Sequence, residues 1–167
     1  MTPFQLYGTY AVIGLGAILI GTLASNLLTI GGITPDLLLL VIVALALHRG
    51  QLPALVFGFV MGLLFDIVST DVIGSNALVK MLAGYVAGFF GNPDQATTAS
   101  IGSPRYVVTT LVAALVHNAV YYLLYTRPAE ISFTEFYLKN GVAAALYTAA
   151  LALLPFFYAS RQREETF

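Results

Sequence analysis

Asp66 is the residue with the most chemistry to offer. It closes the run Gly62-Leu63-Leu64-Phe65-Asp66, and a short polar turn leads on to Gly74-Ser75-Asn76-Ala77-Leu78. The flanking runs are apolar, so an ionisable carboxylate stands between two helices. At the C-terminal end of a helix the dipole disfavours its negative charge. Two readings are open. A carboxylate at depth in a membrane marks an ion, proton or partner site. One at the aqueous boundary caps the loop or the start of the next helix through Ser75 or Asn76. Asp71, in mid-loop, reads as solvated.

His117 and Asn118 form a second polar pair, slightly past the centre of the run Pro104 to Tyr125. Thr110, Ala114, His117, Tyr121 and Tyr125 recur at spacings of three and four, which places them on one helix face. A histidine or hydroxyl facing lipid is costly, so this face points into a bundle. It either lines a cavity for a small polar ligand or makes interhelical hydrogen bonds that fix packing. A lone histidine with no partner motif is poor ground for a metal site.

Gly58-Phe59-Val60-Met61-Gly62 and Gly84-Tyr85-Val86-Ala87-Gly88 are both GxxxG. Glycines at this spacing let two helix backbones approach closely. They either pair the two helices with each other or form a groove for a partner's membrane helix. Catalytic constellations do not occur. There is no GxSxG, HExxH, P-loop or GxGxxG, and His48 lies far from His117 in sequence. No span carries paired carboxylates, which argues against an ion pump. No cofactor is expected.

These residues sit in a chain that is 59% hydrophobic and 9% charged, with a mean hydropathy of +0.87. Soluble domains have about 25% charged residues, so this is an integral membrane protein. The net charge of -1 leaves no basic surface for nucleic acid, and with no cysteine there are no disulfides. The N-terminus lacks the positive region and cleavage site of a signal peptide, so the first apolar run is expected to be retained.

A spanning helix needs about 20 apolar residues. The runs 7–27, 104–125 and 136–158 meet that length, and 34–48, 52–67 and 77–90 are shorter. The apolar runs lack the strict alternation of a barrel strand. The expected fold is an all-α, single-domain bundle of six transmembrane helices. Gly31-Gly32 ends the first helix, and Thr34-Pro35-Asp36 starts the second, with Thr34 as N-cap and Asp36 at the positive end of the dipole. Arg49-Gly50-Gln51-Leu52-Pro53 makes a tight turn. The longest polar loop carries Asn92-Pro93-Asp94, Thr97-Thr98 and Ser100, and Thr126-Arg127-Pro128 closes the fifth helix. With both termini cytoplasmic, Arg49, Arg105, Arg161 and Arg163 lie inside and Lys80, Arg127 and Lys139 outside, a weak positive-inside bias. Glu130, Glu135, Glu164 and Glu165 read as solvated. Tryptophan is absent, and Tyr7, Tyr10, Tyr106, Tyr137 and Tyr158, near helix ends, are the expected interface anchors.

Three stretches together resemble the rod shape-determining protein MreD family. Pro35-Asp36-Leu37-Leu38-Leu39-Leu40 is similar to the family's proline-aspartate helix start. Gly62-Leu63-Leu64-Phe65-Asp66 is similar to its Gly-Leu-Leu-x-Asp helix end. Gly74-Ser75-Asn76-Ala77-Leu78 with Gly84-Tyr85-x-x-Gly88 is similar to the glycine-led opening of its next helix. Thr70-Asp71-Val72-Ile73 departs from the glycine and proline common there. The resemblance implies a non-enzymatic scaffold in the bacterial cytoplasmic membrane that binds MreC, and through it acts with MreB, RodA and a class B penicillin-binding protein. Pairing with a second copy stays open. The family's fold is similar to the substrate-binding subunits of energy-coupling-factor transporters. That likeness implies an alternative function, capture of a small molecule such as a vitamin, with the His117-Asn118-Tyr121 face as pocket. The small-residue pair Ala17 and Gly21 would then dock a transporter scaffold.

Overall fold

The computed structural model describes residues 3–69, 72–92, 100–129 and 132–164, and its extended elements are all helices. The helices are α1 (Pro3–Leu23), a single-turn α2 (Ser25–Leu28), α3 (Leu37–Arg49), α4 (Gln51–Ser69), α5 (Ser75–Gly88), α6 (Pro104–Ala129), a single-turn α7 (Phe133–Phe136) and α8 (Val142–Glu164). A π-helical turn, Tyr137–Gly141, joins α7 to α8. Among the described residues four apolar stretches are long enough to cross a membrane: Gln5–Leu23, Gln51–Ser69, Pro104–Leu124 and Phe133–Gln162. The expected run 52–67 is therefore not short, because the helix continues to Ser69.

α3 is the central element. Its 13 residues rise only about 20 Å, yet Leu38, Leu39 and the whole run from Ile42 to Leu47 are buried. A helix that is apolar all round belongs inside a bundle, and α1, α4, α5, α6 and α8 all pack on it. The start of α1 and the end of α8 lie at one end of this bundle, called here the near end. The opposite, far end gathers the start of α3, the end of α4, the start of α5 and the start of α8.

The start of α3 differs from expectation. Asp36, not Thr34, is its N-cap: the backbone there is extended, and Leu39 N donates to Asp36 Oδ1 at 3.0 Å. Thr34 instead meets the Thr29 hydroxyl at 2.8 Å. α3 ends at Gly50, whose φ of 82° lets the chain reverse at once into α4.

The most extensive pairing joins α4 to α5. Ala54, Gly58, Gly62 and Asp66 recur every four residues on one face of α4, and all four are buried. A Cβ on Gly58 would lie 2.5 Å from the Lys80 carbonyl oxygen, and one on Gly62 2.5 Å from that of Asn76. From the other side, Gly84 faces the Ala54 carbonyl and Gly88 faces Gln51. The two GxxxG motifs therefore meet each other, and the groove for a partner helix that they offered in the sequence is already filled.

Two of the expected interface tyrosines are inside the protein. Tyr10 and Tyr106 are buried, and the Tyr106 hydroxyl donates to the Leu40 carbonyl at 3.2 Å. Tyr7 and Tyr158 are exposed, whereas Tyr137 is half-buried and donates to Leu115 O at 3.1 Å. Both buried rings face other helices, because each helix end they mark is packed against a neighbour. Thr70, Asp71, the loop residues 93–99, Glu130 and Glu165 lie outside the described residues, as do the side chains of Tyr125, Arg127, Arg163 and Glu164.

Candidate functional site

The far end carries two polar centres. Asp66 forms the first and is only 1% exposed. Gly74 N donates to its Oδ2 at 2.9 Å, Ala77 N to Oδ2 at 3.2 Å, and Asn76 N to Oδ1 at 3.0 Å. The Ser75 hydroxyl adds a longer bond of 3.4 Å to Oδ1. One carboxylate thus satisfies the first backbone donors of α5 from outside that helix, a role normally filled by a helix's own cap residue. The dipole of α4 opposes the charge, but the positive end of α5 faces it directly. Gly74, with φ of 98°, makes the turn that aims these N–H groups at Asp66. Asp66→Ala is expected to lower stability by about 2–3 kcal/mol, since buried backbone donors lose their acceptor. Asp66→Asn should cost less. Thermal unfolding in detergent measures both, and an unchanged alanine variant would remove Asp66 as the cap.

The second centre joins five helices. Lys80 of α5, 1% exposed, forms an ion pair with Asp36 at the start of α3, whose side chain is 22% exposed. Lys80 Nζ also lies 3.3 Å from His117 Nε2 of α6 and 5.2 Å from the centre of the Phe65 ring of α4. His117 Nδ1 is 3.1 Å from Asn118 Oδ1, and Asn118 Nδ2 donates to the Gly141 carbonyl at 2.8 Å. An ammonium has only donors. His117 Nε2 must then accept from Lys80, leaving the proton on Nδ1 to be donated to Asn118. The chain of donors runs Lys80 to His117 to Asn118 to Gly141 and is consistent with a neutral imidazole. It ends on a carbonyl in the π-helical turn. The Asp36 backbone N–H donates to the Thr148 hydroxyl of α8 at 3.0 Å, which ties α8 to the same centre.

A cavity of about 250 Å³ opens beside this network. Asp36, Phe65, Lys80, His117, Asn118 and Tyr121 line it, with the Tyr121 ring stacked on His117 at 6.1 Å. Ala17 and Gly21 of α1 form part of the wall, so that small-residue face looks into the bundle at this end. Among the described residues no group of histidine and carboxylate side chains has the makings of a metal site. The network is a hydrogen-bonded and charge-balanced tie with a polar cavity at its side.

Sequence reasoning located Asp36, Asp66, Asn76, His117 and Asn118, and the structure brings Asp36, His117 and Asn118 together while Asp66 and Asn76 meet separately. It missed Lys80, which was counted as a charge outside the membrane. That reading fails because Lys80 lies on the α5 face turned to α3 and α6. Its position inside an apolar run was the available signal, since an ammonium there needs a counter-ion.

No curated protein and no solved structure matches the chain. A family model does match, that of rod shape-determining protein MreD, over residues 4–160. The match takes in α1 to α6, the π-helical turn and every residue of both polar centres. On that span, the chain belongs to the MreD family of rod shape-determining membrane proteins.

Proposed function

We propose that this chain is a non-enzymatic scaffold of the bacterial cell-wall elongation complex, set in the cytoplasmic membrane and bound to MreC. Family membership over residues 4–160 is the observation that carries the reading. Through MreC the scaffold acts with MreB, RodA and a class B penicillin-binding protein. The chain crosses the membrane six times, with the short α3 and α5 shielded by their neighbours. Both termini face the cytoplasm. With Lys80 paired inside the bundle, the remaining basic residues divide four to two in favour of the cytoplasmic side, which supports this orientation.

The MreC helix docks on the outer face of α1. The small residues of α4 and α5 are used up in their own pairing, whereas Gly8 and Gly16 of α1 have open space where a side chain would stand. A shallow groove runs there past Gln5, Gly8 and Val12, and a bare glycine lets a second helix come close. Co-purification with tagged MreC tests both parts. The wild type and His117→Ala should retain MreC, while Gly8→Leu should lose most of it without a change in melting temperature. Failure of the wild type to hold MreC would overturn the scaffold reading, and retention by Gly8→Leu would overturn the α1 face.

A further inference from the structure

The polar cavity beside Asp36 has a neighbour. A second chamber of about 200 Å³ shares three wall residues with it: Thr34, Tyr122 of α6 and Ala144 of α8. Gly32, ahead of α3, and Asn140 of the π-helical turn are also among its walls. Gly32 and Thr34 are exposed, so this outer chamber reaches the surface at the far end. We infer that the two chambers form one water-filled vestibule that brings solvent to the Asp36 carboxylate.

Size and lining decide the occupant. A cavity walled by hydrocarbon stays dry, whereas a polar one holds water where each molecule finds two to four polar partners. The inner chamber, of about 250 Å³, has room for several waters at about 30 Å³ each. Asp36, Lys80, His117 and Asn118 offer them donors and acceptors, and Thr34 and Asn140 do so in the outer chamber. A lipid tail is the wrong filling, because a carboxylate set against hydrocarbon loses its hydration and gains nothing in return.

The ion pair is open to solvent from one side. The side chain of Asp36 is 22% exposed and that of Lys80 only 1%, so the acid faces the chamber and the base lies behind it. A carboxylate accepts about four hydrogen bonds, which gives water a place beside the Leu39 N–H and the Lys80 ammonium. α1 closes the inner chamber with Ala17 and Gly21. Gly21 has nothing within 4 Å of where a side chain would begin, so a small side chain fits there. Ile20, at the same depth, turns outward and is 56% exposed.

The chain has no cysteine, so a single introduced thiol reports without background. The test uses the full chain in lipid nanodiscs, where both ends meet water and no partner is present. A charged methanethiosulfonate should modify Gly21→Cys about tenfold or more faster than Ile20→Cys, since the reacting thiolate forms only in water. Adding Thr34→Trp, at the wall the chambers share, should slow modification of Gly21→Cys with an unchanged melting temperature. Equal rates at the two cysteine positions, slow or fast, would overturn the vestibule. An undiminished rate in the Thr34→Trp variant would overturn its entrance through the outer chamber.

Discussion

Gly62→Leu is expected to be the most damaging single substitution at the α4–α5 interface. A Cβ there would stand 2.5 Å from the Asn76 carbonyl oxygen and 2.7 Å from the Ala77 Cα. Both are backbone atoms, so no rotamer change relieves the clash and the helices must part. Overpacking typically costs about 1–3 kcal/mol, and here a backbone shift also pulls the first turn of α5 away from Asp66. A loss at or above the top of that range corresponds to roughly 10 °C in melting temperature for a chain of this size. Gly16→Leu is the control, because nothing lies within 4 Å of where its side chain would begin. Thermal unfolding in detergent compares the two. Equal melting temperatures would mean that close approach at Gly62 is not what holds α4 to α5.

Lys80→Met has the second large effect. It leaves the Asp36 carboxylate with Leu39 N as its remaining hydrogen-bond donor at the start of α3, and it takes from His117 Nε2 its donor. Removing one partner of a buried ion pair costs about 3–5 kcal/mol, whereas replacing both by neutral groups is often close to neutral. Asp36→Asn keeps a good cap residue while removing the charge. The double variant Lys80→Met with Asp36→Asn should therefore be more stable than Lys80→Met alone. A double-mutant cycle of unfolding free energies isolates this coupling. Additive effects of the two substitutions would show that the pair contributes nothing beyond its separate contacts.

The helices were legible because membrane runs are long and their breaks are local. Gly50 reverses the chain between α3 and α4, and the glycine pairs of α4 and α5 announce a close approach at a spacing that survives any choice of neighbour. Which helix they approach was not legible, since GxxxG serves a partner as well as it serves the molecule itself. The candidate site was half legible. Asp66 and Asn76 are joined across a short turn, and a carboxylate before a glycine-led helix start implies a cap. The Asp36–Lys80–His117 tie spans 44 residues on one side and 37 on the other, and no pattern within one helix specifies it. Hydropathy averages also conceal Lys80, because one ammonium barely changes the mean of an apolar run. The identity of the N-cap at Asp36 turned on which oxygen reaches Leu39 N, a matter of two residues in register. The tyrosines misled for a similar reason, since an amphipathic ring near a helix end suits an interface and a packed helix junction equally well.

The polar tie also orders events during synthesis. Asp36 is made 44 residues before Lys80, so the start of α3 is synthesised before its counter-ion. α4 and α5 then form the most extensive pair, close together in sequence, and local contacts form early. Only when that hairpin swings against α3 does Lys80 reach Asp36, and His117 arrives later still with α6. Each later helix is thus checked in against a charge already in place, and a chain truncated before Lys80 should expose Asp36 to the quality-control proteases that clear unassembled membrane segments.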